Sequence, residues 1–122
     1  MVILLVEDDV HVQHFIWKLL KADGHTVLAS RDGKAALEAS RKHSGIIDLL
    51  LSDVEMPRMG GLELFRNIAA ERPGIKVLMM SGALEGRDQV SMSGLPFLQK
   101  PFTETALRDS IKALLGPIPP LP

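Results

Sequence analysis

The stretch LLLSDVEMPRMGG, residues 49–61, decides how this chain folds. Three consecutive leucines describe a strand with no solvent-facing side, because a half-exposed strand alternates apolar with polar residues. The run ends on Asp53, and Pro57 and the Gly60-Gly61 pair that follow are turn residues. A strand buried on both faces belongs in the middle of a sheet. Its last residue is therefore held at the sheet's edge, beside whatever the neighbouring strands deliver there.

Outward from this stretch, apolar runs alternate with amphipathic ones. Val2 to Val6 is a second short branched-aliphatic run. Val12, Phe15, Ile16, Leu19 and Leu20 then fall on one helical face, and Gly24 is suited to cap that helix in the left-handed conformation. Thr26 to Ala29 is a short strand. Asp32 caps a helix running to about His43, with Ala36, Leu37 and Ala39 to Ser40 inward. Ile46 to Ser52 forms the third strand, Leu62 to Arg72 a helix stopped by Pro73 and Gly74, Lys76 to Met80 the fourth strand and Pro96 to Gln99 the fifth. Thr103 caps a last helix bearing Leu107, Ile111, Leu114 and Leu115. Residues 84–93, rich in Gly, Ser and charge, are where a fourth helix belongs, and it is expected to be short or irregular.

Alternating strands and helices imply an α/β fold: a doubly wound parallel sheet of five strands with helices on both faces, since right-handed crossovers place them there. Residues 1–115 form one domain, long enough to bury a single core. The proline-rich GPIPPLP, residues 116–122, is expected to be an extended tail or the start of a linker. A hydrophobic content of 46% and a net charge of -1 describe a soluble globular chain without the basic surplus of a nucleic-acid binder. The absence of cysteine excludes disulfides, thiol catalysis and thiolate metal sites. Apolar runs such as IIDLLL fall far short of the roughly 20 residues of a membrane span. MVILLVEDD lacks the basic start of a signal peptide, so a cytoplasmic protein is expected.

In an open parallel sheet, ligands bind at the carboxyl ends of the strands. The first strand delivers Glu7, Asp8 and Asp9 there, the third Asp53, the fourth Ser81 and Gly82, the fifth Lys100 and Pro101. Converging carboxylates repel one another unless a cation sits among them, and an all-oxygen donor set suits Mg2+ or Mn2+. With Lys100 opposite, such a site can stabilise a phosphoryl group, and Asp53 can serve as nucleophile to form an aspartyl phosphate. Ser81 offers a hydroxyl to a phosphoryl oxygen, and Gly82 leaves room for it.

Each residue alone has a plainer reading: an acidic capping cluster, a turn aspartate, a solvated lysine, a loop serine. Their joint placement outweighs those readings. His11 and His14 lack a third metal ligand and are expected in solvent, while His25 and His43 carry no signal. Met56, Met59, Met79, Met80 and Met92 suit core and loop packing rather than a soft-metal site, and Trp17 partly exposed packing.

Taken in order, LLVEDD, LLLSDVEMPRMGGLEL, LMMSG and FLQKPF resemble the receiver domain of two-component response regulators, the CheY-like family, over residues 2–115. The resemblance implies a flavodoxin-like sheet of order 2-1-3-4-5. It makes Asp53 the phospho-acceptor, Asp8 the direct metal ligand, Glu7 a ligand through water, and the Glu55 backbone carbonyl a further ligand. Asp9 becomes a helix cap. Ser81 and Phe97 take the switch positions, Lys100 the phosphoryl-binding lysine, and Pro101 follows it in a cis peptide. The implied partner is a histidine kinase or phosphotransfer protein, with an output domain or homodimer on the face of the fourth helix, fifth strand and last helix. Phe97 has no hydroxyl, so a switch there acts by packing, and residues 55 and 83 are placed to tune the phosphoryl lifetime.

Such a domain is a phospho-accepting regulator rather than an enzyme acting on another substrate. Three rivals are weaker. A haloacid-dehalogenase-type phosphatase carries its nucleophile on an early strand with a second Asp two residues on, where this chain has Glu55. A flavodoxin needs a Ser/Thr/Gly-rich phosphate loop where this chain has three acids. A degenerate receiver acting as an interaction module is disfavoured by the complete set of acids, Ser81 and Lys100.

Overall fold

The computed structural model describes residues 1–116, so the proline-rich tail from residue 117 onward lies outside the described residues. Ten elements alternate along the chain: β1 (Val2–Val6), α1 (Val10–Ala22), β2 (Thr26–Ser30), α2 (Gly33–Lys42), β3 (Leu49–Asp53), α3 (Gly61–Glu71), β4 (Lys76–Ser81), α4 (Leu84–Ser93), β5 (Phe97–Gln99) and α5 (Glu104–Leu115). The strands form one parallel sheet in the order β2-β1-β3-β4-β5. Among the described residues, no helix is long and apolar enough to cross a membrane.

Alternation along the strands divides the core in two. Leu4, Val6, Leu50, Val77 and Met79 face one way and pack with Ala36 and Leu37 of α2, Leu64 and Ile68 of α3 and Val90 of α4. Ile3, Leu5, Leu49, Leu51, Leu78 and Met80 face the other way, onto Ile16, Leu19 and Leu20 of α1 and Leu107 and Ile111 of α5. This explains the unbroken apolar runs: successive residues fill opposite cores. Each fully buried leucine of β3 contributes about 1.5–3 kcal/mol relative to an exposed one.

The ends of the elements follow local chemistry. The Asp9 carboxylate caps α1 by accepting from the His11 and Val12 amides at 2.9 and 3.2 Å, and Gly24 leaves that helix at φ 87°. Asp32 caps α2 and Thr103 caps α5 in the same way, through the Ala35 and Ala106 amides. β3 begins three residues later than its apolar pattern predicts. Asp48 turns its carboxylate back onto the Val2 amide at 2.7 Å, and Ile46, 77% exposed, precedes that anchor as loop. Phe15 also departs from the pattern: α1 buries Ile16, Leu19 and Leu20 but leaves Phe15 41% exposed. α4 is short but regular, ten residues closed by Gly94 in the left-handed conformation. Its pattern is faint because Gly86 and Val90 are its only buried residues.

Candidate functional site

The same alternation aims the site. Glu7, Asp53 and Lys100 continue the α1/α5 side of β1, β3 and β5, so they project to one side of the sheet's carboxyl edge and meet. The Lys100 ammonium donates to Glu7 and, at 3.1 Å, to Asp53 Oδ2. The Lys100–Pro101 peptide is cis. Ser81 continues the opposite side of β4, toward α4. The edge thus carries a charged cluster on one side and a hydroxyl on the other, with Asp53 next to both.

The charged cluster is short of positive charge. Carboxylate oxygens of Glu7, Asp8 and Asp53 lie within 4.8 Å of one another, opposed by one lysine. Glu7 is fully buried, and burial pushes its carboxyl up to about 7, although Lys100 and the Asp9 amide pull it down and Asp53 adds to the rise. Burial raises the Asp53 carboxyl as well, with Lys100 opposing and the Glu55 charge adding. Burial alone would lower the Lys100 ammonium, but the hydrogen bond to Glu7 and the charge of Asp53 outweigh it and raise its pKa. Three hard oxygen donors, those of Glu7, Asp8 and Asp53, fit a divalent cation of the Mg2+ type. Exposed Asp8 opens the cluster to solvent.

The loop after β3 supplies the remaining parts. The Met59 amide donates to the Pro57 carbonyl at 2.8 Å, closing a tight turn in which Arg58 takes φ 70°. The Gly61 amide then reaches the Val54 carbonyl at 2.9 Å, and a Cβ on Gly61 would collide with the Asp53 carbonyl. Only glycine lets α3 start this close to the Asp53 backbone. The Glu55 amide donates to Asp53 Oδ1 at 3.3 Å.

Several residues at this edge carry no sequence signal. The Glu55 side chain, expected beside residue 83 but with no partner assigned to it, folds back so that its carboxylate accepts from the Ser81 hydroxyl and, at 3.3 Å, from the Ala83 amide. Gln13 spans the ends of β1 and β2, donating to the Ser30 carbonyl at 2.9 Å and the Glu7 carbonyl at 3.3 Å. Gly86 lies against Ser81 and Glu55. Phe15 and Phe102 line, with His11, Val12, Gly82, Lys100 and Pro101, an open groove of about 610 Å3 beside the lysine. Gly82 itself is exposed next to the Lys100 stem, and Phe97 lies half-buried on β5, packed on the α4 side of the core.

Residues 3–112 match the response regulator receiver domain family. The chain is 34% identical over 116 residues to the sensor kinase CckA of Brucella abortus, covering 93% of this chain and 12% of that kinase. It is 35% identical over 120 residues to the response regulator MprA of Mycobacterium ulcerans, covering 93% of this chain and 49% of that protein. The chain thus spans half or less of the length of these relatives. Among solved structures, the receiver domain of sensor histidine kinase PA1611 from Pseudomonas aeruginosa PAO1, with a magnesium ion coordinated in its active site cleft, superposes with a TM-score of 0.82 at 27% identity, over 95% of this chain and 98% of that one. With its sheet order, its acidic edge and this match over nearly its full described length, the chain belongs to the response regulator receiver domain family.

Proposed function

We propose that this receiver domain accepts a phosphoryl group on Asp53 from a phosphohistidine of a histidine kinase or phosphotransfer protein in the cytoplasm. The observation that carries the reading is the convergence of Asp53, two further acids and Lys100 at one sheet edge. Asp53 attacks phosphorus, the O–P bond forms as the N–P bond breaks, and the departing imidazole keeps the electron pair and takes a proton from water. Glu7, Asp8, Asp53 and the Glu55 carbonyl would hold Mg2+ or Mn2+, which supplies charge neutralisation for the transferred group. Lys100 is close enough to Asp53 to serve the phosphoryl oxygens as a cationic donor. The apolar groove along Phe15, Pro101 and Phe102 supports a protein donor, since it opens beside Lys100.

The output reading follows from the switch positions. New charge on Asp53 draws in Ser81, Phe97 repacks into the space, and the face of α4, β5 and α5 changes for an output domain or a second copy. Met92 and Leu84, 90% and 66% exposed on α4, support that face as a contact surface. Incubation with acetyl phosphate and Mg2+ followed by intact mass should give a one-phosphate shift. The shift should vanish in Asp53→Asn and with a chelator. Absence of labelling in the wild type at saturating donor would sink the reading.

A further inference from the structure

The Glu55 carboxylate has an unexpected position for a residue on an exposed loop. Although the residue is exposed, its carboxylate accepts from the Ser81 hydroxyl and from the amide of Ala83, the N-cap residue of α4. Ala83 has no side-chain oxygen to cap the helix with, so Glu55 supplies a carboxylate from another loop to the amino end of α4. The contact is closed from above. A Cβ on Gly86 would lie 2.5 Å from Ser81 Oγ and 2.7 Å from Glu55 Oε2, so the first turn of α4 rests directly on the pair. Glu55 also bears on the nucleophile, with its amide on Asp53 Oδ1 and its charge acting on the Asp53 carboxyl.

The Ser81 hydroxyl is the donor assigned above to a phosphoryl oxygen, and the Ala83 amide beside it is shared between Glu55 at 3.3 Å and Ser81 Oγ at 3.1 Å. We propose that Glu55 is an internal occupant of the phosphoryl pocket: its carboxylate holds Ser81 and caps α4 in the unmodified chain, and a phosphoryl group must displace it. The inference rests on the reading of Asp53 as phospho-acceptor and goes beyond it. Displacement hands the Ser81 hydroxyl and the Ala83 amide to the new anion, and Glu55 swings into solvent with its full charge. Glu55 is thus a positioning residue that couples charge on Asp53 to α4 independently of any aromatic repacking. Because two anions compete for one set of donors, the pocket is held for the stronger one, and affinity for the anion is lowered by the cost of evicting the first.

Two variants separate the parts. Glu55→Gln keeps an oxygen in reach of Ser81 and Ala83 but removes the charge, and Glu55→Ala removes both. Without donor or metal, amide exchange over residues 83–87 should accelerate about tenfold in Glu55→Ala, the worth of one charge-assisted hydrogen bond, and by less in Glu55→Gln. With Mg2+ present, the apparent affinity for beryllofluoride should rise about five- to tenfold in Glu55→Ala. Unchanged exchange in Glu55→Ala would overturn the capping role. Changed exchange with equal beryllofluoride affinity in wild type and Glu55→Ala would overturn the displacement. If no form binds beryllofluoride, the phosphoryl reading of the site fails and takes the displacement with it, while the exchange result still decides the cap.

Discussion

The two edges of the sheet are built on opposite electrostatic terms. At the amino edge the charged side chains of Arg72 and Asp48 are answered by backbone partners. The Arg72 guanidinium at the end of α3 donates to the Ser40, His43 and Gly45 carbonyls at 2.7, 2.7 and 2.8 Å and to the Ser40 hydroxyl at 2.9 Å, closing the carboxyl end of α2 and the loop after it. Asp48 is spent on the Val2 amide. His25 is buried there with its Nδ1 unpartnered, and burial lowers its pKa. At the carboxyl edge, burial raises Glu7 and Asp53, and one lysine serves two acids. One edge closes on its own polar partners; the other gathers three acids around one lysine. Several acids sharing one cation distinguish the carboxyl edge as the candidate site.

The largest effect that separates the edges is expected from Arg72→Met. It keeps the apolar stem but leaves three carbonyls without their cation, and should lower unfolding free energy by about 2–3 kcal/mol in a urea titration. Asp53→Asn, in contrast, should leave the urea midpoint unchanged or raise it, because it removes a buried charge the fold does not need. Loss of stability in Asp53→Asn comparable to Arg72→Met would erase the distinction.

A smaller effect concerns pH. The Glu7 carboxyl has a folded pKa of about 7, above the 4.5 of its unfolded state, so between those values the folded chain binds more protons than the unfolded one. Its contribution to stability is therefore fully present below pH 4.5 and is lost as pH rises toward 7, and Asp53 acts in the same direction. Thermal melts of the metal-free protein should fall across this window, and the fall should flatten in Glu7→Gln. An equal slope in the variant would assign the effect elsewhere. The smallest effect is expected from Glu71→Gln. Its ion pair with Arg41 is exposed on both sides, 59% and 39%, and such pairs contribute little, so the melt should be indistinguishable from wild type.

What the sequence makes legible follows from the distance over which each feature is determined. The runs at Ile3–Val6, Leu49–Leu51 and Val77–Met80 are legible because burial on both faces writes itself into every residue. The caps at Asp9, Asp32 and Thr103 are legible because their hydrogen bonds close within three residues. Asp53, Lys100 and Ser81 are legible because strand ends in a parallel sheet share one edge. The Glu55 side chain is not, since its partner lies 26 residues away and nothing local distinguishes it from any exposed turn acid. Arg72 is hidden for the same reason, its acceptors being 27 to 32 residues distant. α4 is faint because a helix that buries only a glycine and a valine has almost no apolar period to read.

The two-residue alternation of the strands has a consequence for how such a chain tolerates changes of length. Inserting or deleting one residue within β1 or β3 would leave composition and hydrophobicity almost untouched, yet would turn Glu7 or Asp53 toward the opposite core and away from Lys100. The residues after Val90 on the path to β5 carry less of this constraint, because β5 re-enters the sheet through its own register with Met79, Met80 and Ser81. Lineages of this fold are therefore free to lengthen or shorten the path to β5, and are held to the residue in the strands that end on the acids.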